Sequence, residues 1–217
     1  MANIVHLLQS APPFAALERE ARFPPLALPA LPLLPAGLAR GAITEIAGLR
    51  SSGRTAAMLH ILAQATARGE VCAIVDTDDQ FHPASATASG VRLSSLVWVR
   101  CGGKAERAMR AADLLLHAGG FGVVVLDLCE VKPLLLNRIP ISYWYRFRRA
   151  IEQTATSLLV CARWPQAKAS VHQLELRNVQ ARWEGALPFR LLRGLEISAQ
   201  ACKPPIGRSE RLSLQVT

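Results

Sequence analysis

The 217-residue chain has no C-x-x-C pair, and its five cysteines (72, 101, 129, 161 and 202) are an odd, scattered set. That excludes a disulfide scaffold or a clustered zinc site and points to reduced, mostly buried thiols of a cytoplasmic protein. No apolar run approaches the roughly 18 residues of a membrane helix. The most apolar stretch, Phe23 to Ala39, has prolines at 24, 25, 29, 32 and 35, which a helix interior does not tolerate. There is no Lys or Arg before Arg19, so the charged start of a signal peptide is missing. Lysine is scarce, 4 against 21 arginines, and aromatics are only 6% of the chain. The five histidines are dispersed without ligand spacing, which argues against a metal site built on them.

What is present is a chain able to bury a core: 51% hydrophobic residues with 19% charged. Its net charge of +9 is lopsided. Residues 1–130 hold 11 basic and 11 acidic residues, whereas residues 131–217 hold 14 basic and 5 acidic ones. A basic C-terminal part suits a polyanion or an acidic protein surface, although an arginine-rich composition alone would also scatter such charges.

Residues 1–36 read as a proline-rich arm, a semi-rigid connector lying along a surface, and residues 37–217 as one domain. From Gly37 the pattern alternates. Strands are expected at 42–47, 71–75, 96–99, 123–126 and 158–161, with helices at 55–68, 106–117 and 143–154. Continuous apolar strands alternating with helices mean an α/β fold, a mainly parallel sheet with helices on both faces. After Ala169 short alternating segments predict an antiparallel C-terminal extension. In the helix at 143–154, Trp144 and Phe147 are expected in the core and Arg146, Arg148 and Arg149 on a basic face.

Between the first strand and the first helix, Gly48-Leu49-Arg50-Ser51-Ser52-Gly53-Arg54-Thr55 fits G-x-x-x-x-G-[K/R]-T. Such a loop turns backbone N–H groups toward phosphates at a helix N-terminus, and a Thr hydroxyl there can reach magnesium. Gly48, Ser51, Ser52, Gly53, Arg54 and Thr55 are therefore the candidate nucleotide-binding residues. Arg54 stands where the motif usually has Lys, a planar fork in place of a compact charge. Asp127, at the end of the most apolar strand, is a candidate magnesium partner together with Thr55.

Leu34-Pro35 through Gly37, Gly41 to Gly48, Ser51 to Thr55, Gly69 to Asp78, Pro83 and Gly90-Val91 resemble the opening of the RecA recombinase core, a P-loop fold. The resemblance implies ATP and magnesium as cofactors and Asp78 in the position of the catalytic acid, where that family carries a longer glutamate. It also implies losses. Ser85 stands where an aromatic stacks on adenine, and His82 where an acid neighbours it. Ala162-Arg163-Trp164 replaces a phosphate-sensing glutamine, and the long DNA-binding loop shrinks to about Trp164–Lys168. A short RecA relative with these erosions resembles the ImuA family of the bacterial DNA-damage (SOS) response. That resemblance implies an accessory protein of translesion synthesis and mutagenesis with a degenerate, mainly non-enzymatic nucleotide site. Its implied partners are RecA, ImuB and an error-prone C-family DNA polymerase, with weak DNA contact and no membrane. An active DNA-dependent ATPase and a SulA-like cell-division inhibitor remain the alternatives. The mix of charge and apolar anchors in the tail makes Arg208, Arg211, Leu212 and Leu214 the expected partner-binding residues.

Overall fold

A computed structural model of the chain describes residues 22–28, 31, 34, 36–185, 190–203 and 209–215. Among the described residues there are eight strands: β1 Ile43–Gly48, β2 Cys72–Asp76, β3 Leu96–Arg100, β4 Val123–Leu128, β5 Ser157–Ala162, β6 His172–Glu184, β7 Leu191–Lys203 and β8 Ser209–Gln215. The helices are α1 Arg54–Ala67, α2 Pro83–Ala88, α3 Ala105–Ala118, α4 Pro133–Leu136 and α5 Ser142–Ile151. All eight strands form one sheet in the order β3-β2-β4-β5-β1-β6-β7-β8. From β3 to β6 the pairing is parallel, and β7 and β8 add antiparallel strands at one edge.

The central strands are apolar on both sides because both sides are covered. Ile46, Ile74, Val123, Val125 and Leu159 face a layer built on α1. The alternate residues Ile43, Val75, Val124, Leu126 and Val160 face α3 and α5. The period-2 alternation of each strand thus divides one sheet between two helical layers. Trp144 and Phe147 of α5 are buried in the second layer, as the helical spacing predicts. Cys72 and Cys161 are buried strand thiols, and burial pushes the Cys72 thiol up to about 11.

The proline-rich stretch differs from the surface connector expected of it. Leu26, Leu28, Leu31 and Leu34 are each at most 5% exposed and sit in the same cluster as Met58, Ile61 and Leu62 of α1. Backbone bonds join Leu26 and Leu38 in both directions, at 3.0 and 2.8 Å. The prolines exclude a helix, but the leucines between them supply an apolar edge that packs over α1.

The C-terminal extension is also longer in its elements than short alternating segments suggest. β6 and β7 have 13 residues each, and their pairing shifts register at three points. β6 pairs with β1 only as far as Leu176, so its remainder pairs with β7 alone, in an antiparallel ribbon to which β8 adds a third strand. Bulges absorb the strong twist of such a ribbon, and they blur the period-2 pattern in the sequence.

Candidate functional site

β1 ends at Gly48, and the chain turns through residues 49–53 before α1 begins at Arg54. Two residues make the turn possible. A Cβ on Gly48 would lie 2.5 Å from Ser52 Oγ and 2.8 Å from the Leu176 carbonyl, so only glycine fits there. Gly53, with φ of 88°, caps α1 in the left-handed region that glycine adopts freely. The Ser52 N–H donates to the Leu49 carbonyl at 3.2 Å and tightens the loop. The first turn of α1 has no acidic residue, so its N-terminal partial positive charge is not neutralised from within the helix.

The loop side chains divide into two sets. Ser51 and Thr55 are exposed at the loop and the first helical turn, while Ser52 and Arg54 are buried, at 5% and 7% exposure. Arg54 Nη1 and Ser52 Oγ have no hydrogen-bond partner. A buried donor left unpaired costs on the order of 1–3 kcal/mol, so this pair of orphans marks a place where an anion's oxygens fit. The cradle therefore suits a phosphate group.

The acids gather opposite the loop. Asp127 lies on β4 in register with Asp76 of β2 and Cys161 of β5. Its Oδ1 accepts the Cys129 N–H at 2.9 Å, and its backbone carbonyl accepts the Thr77 hydroxyl. Burial pushes the Asp127 carboxyl upward, with Asp76 adding to the rise and nearby Arg54 opposing it. Asp78, in the turn after β2, is half-buried and also raised, first by burial and then by the charges of Asp127, Asp76 and Glu130. The structure thus brings Asp78 and Asp127 into one electrostatic group with Arg54.

Asp76 has a different task. Its carboxylate accepts the Gln80 and Phe81 N–H groups at 3.0 and 2.9 Å and the Trp98 indole N–H at 3.1 Å. It organises the turn that presents Asp78. Ser85, in the adenine-stacking position, is spent locally: its N–H donates to His82 Nδ1 at 3.2 Å, and its hydroxyl lies 2.9 Å from the same nitrogen. Among the described residues no group of three or more His, Cys, Asp and Glu side chains is arranged to hold a metal ion. Magnesium held with a nucleotide would have the Thr55 hydroxyl and Asp127 as its protein-side groups.

Two features had little signal in the sequence. Arg50, at the loop tip, grips Glu130 beyond β4: Nε lies 3.2 and 3.1 Å from the two carboxylate oxygens and Nη2 lies 2.6 Å from one. The pair ties the loop after β1 to the β4–α4 connection, and Arg50 holds the Glu130 carboxyl below its usual range. Glu45, fully buried in β1, accepts the Gln166 and Ala167 N–H groups at 2.6 and 3.1 Å and the Gln173 amide at 2.6 Å. It pins the connection 163–171 between β5 and β6, which is the place of the shortened loop. A charged residue within an apolar strand was the one available clue to Glu45, whereas residues 50 and 130 are joined only by the fold.

Of the tail residues, Arg208 lies outside the described residues. Arg211, Leu212 and Leu214 lie on β8, in register with Ser198, Ile197 and Leu195 of β7.

With this geometry in view, the comparisons with known proteins fall into place. Residues 30–134 match the RecA N-terminal domain. Over 91 residues the chain is 42% identical to the RecA protein of Rhodospirillum rubrum and 43% identical to that of Methylococcus capsulatus. Those 91 residues are 42% of this chain, and they span 25% and 26% of those two proteins. The crystal structure of the RadB recombinase superposes with a TM-score of 0.64 at 17% identity, covering 88% of this chain and 96% of that one. The fold is that of the RadB recombinase, and within it residues 30–134 are similar to the RecA N-terminal domain.

Proposed function

We propose that the chain is a RecA-like accessory protein of translesion DNA synthesis, of the ImuA kind, which holds nucleotide weakly and works by docking rather than by turnover. The observation that carries this reading is Arg54. It keeps the position of the phosphate-loop cation, but its guanidinium is buried beside Asp127 with one nitrogen unpaired. A planar fork enclosed in this way can meet a phosphate through Nη1, with Ser52 and the first-turn N–H groups beside it. It does not place a compact, freely turning charge between a nucleotide's phosphates as a lysine ammonium does. With Ser85 committed to His82, no aromatic ring stands ready for the base at that position.

The short, pinned connection after β5 supports the same reading. A catalytic recombinase carries its DNA contact on a long loop there; here Glu45 and the Lys203 ammonium, 3.2 Å from the Lys168 carbonyl, hold residues 163–171 close to the sheet. The proposed partners are RecA, ImuB and an error-prone C-family polymerase. The proposed contact is the C-terminal edge around β8, with its surplus of positive charge after residue 130.

The test is a pull-down of purified ImuB and RecA with the full chain, repeated with residues 206–217 deleted. The reading expects retention of a partner by the full chain and loss of it on deletion, with the melting transition preserved. Failure of the full chain to retain either partner would overturn it.

A further inference from the structure

A groove of about 700 Å³ opens between the start of α3 and the connection from α4 to α5, and none of its lining residues belongs to the phosphate loop. Lys104, Arg107, Arg110 and Arg138 line it, with Glu106 as the single acid. All four cations are exposed, and none of them makes an ion pair among the described residues. Neighbouring arginines behave differently: Arg100 pairs with Asp79 at 3.0 Å and Arg146 with Asp113 at 2.8 Å. The groove thus keeps a cluster of unneutralised charge, whereas Arg40, Arg50, Arg100 and Arg146 are each paired with a carboxylate.

Its other lining is apolar. Leu135, Ile139 and Pro140 contribute to the wall. On either side Leu134 and Ile141 are 74% and 56% exposed, a large amount of bare aliphatic surface for so short a stretch. From this combination we infer that the groove is a docking site for an acidic peptide segment carrying apolar side chains. The four cations complement its carboxylates and steer its approach, while its apolar residues cover Leu134, Leu135 and Ile141.

Nucleic acid fits less well. Phosphates would meet the cations but leave the aliphatic surface wet. The aromatic ring at hand, Tyr143, is no stacking platform: the Arg146 guanidinium lies 4.5 Å over its ring, and Phe147 packs against it at 5.8 Å in an edge arrangement. The inference adds a surface to the docking role proposed above, and its test stands even if ImuB and RecA fail to bind.

The test selects from a fluorescently labelled peptide library, in which Asp and Glu are mixed with Leu, Ile, Phe and Ser, on the immobilised full chain. Selected peptides are then measured by fluorescence anisotropy against the wild type, the double variant Arg107→Glu/Arg110→Glu and Leu135→Ser. Circular dichroism checks that each variant folds. The expected result is enrichment of acidic peptides bearing apolar residues. Their affinity should fall at least about tenfold in the charge-reversed variant and severalfold in Leu135→Ser, and a single-stranded oligonucleotide should not displace them. Three results would overturn the inference: no enrichment of acid-rich, apolar sequences; equal binding by the folded charge-reversed variant; or displacement by the oligonucleotide at lower concentration than the peptide itself requires.

Discussion

At the scale of single residues, two buried ionisable side chains, one at the start of α1 and one within β1, have effects that can be measured. Arg54 is the first. Replacing it by lysine restores a compact cation on a flexible stem, and Arg54→Lys is expected to tighten ATP binding about tenfold, roughly 1.4 kcal/mol, in a calorimetric titration with magnesium. Unchanged or weaker binding would mean that the arginine serves the fold alone. Glu45 is the second, and its effect is read in pH. Its carboxyl is raised above the ordinary 4.5 because burial outweighs the hydrogen bonds it accepts. The stability it lends is therefore complete below pH 4.5 and is lost as pH rises through the raised folded-state value. Glu45→Gln keeps an acceptor for the Gln166 and Ala167 N–H groups but does not ionise. Thermal melting from about pH 4 to about pH 8 is expected to decline less in the variant than in the wild type. Asp78 and Asp127 shift in the same direction, so part of the decline should persist. A steeper decline in the variant would show that the three hydrogen bonds, rather than burial, dominate at Glu45.

At the scale of elements, what was legible in the sequence and what was not divide along physical lines. Five of the six strands in the parallel ladder, β1 to β5, and the helices α1, α3 and α5 announce themselves by continuous apolar runs and by helical spacing, and the structure places each within a few residues of those expected spans. The strand–loop–helix turn at residues 48–54 is legible for the same reason, since its glycines lie between a strand and a helix. The six-residue α2 is too short to show a period, and its start depends on His82 acting as a cap. The proline-rich stretch reads as a connector because prolines dominate its composition, yet its function in the fold comes from four leucines that meet α1 only in three dimensions. The strap suggests its own test. Truncating Leu26 and Leu31 to alanine removes two side chains that are 1% and 3% exposed, each worth about 2–5 kcal/mol in a packed core, and should lower the melting temperature sharply. A surface connector would tolerate the same change with little loss. β8 is the opposite case: an outer strand that pairs only with β7, so its removal leaves the ladder from β3 to β7 whole.

At the scale of the whole molecule, charge and chemistry sit on different faces. The overall tally puts all of the surplus positive charge after residue 130, yet Lys104, Arg107 and Arg110 cluster at one groove within the half that balances to zero. Summing charge along a sequence hides such a cluster, because the compensating acids, Asp76, Asp78, Asp127 and Glu130, are drawn together at the phosphate loop instead. The molecule therefore presents a cluster of acids beside the loop after β1, a basic groove on the α3 side and antiparallel strands at the far edge. The central claim is that the RecA-like fold here has kept a phosphate cradle without the means to turn nucleotide over. The most direct test is steady-state ATP turnover by the purified full chain, with magnesium, in the presence and absence of single-stranded DNA. The account predicts release of phosphate no faster than a control lacking the protein, and no stimulation by DNA; turnover that rises when single-stranded DNA is added, and that is abolished in Asp127→Ala, would contradict it.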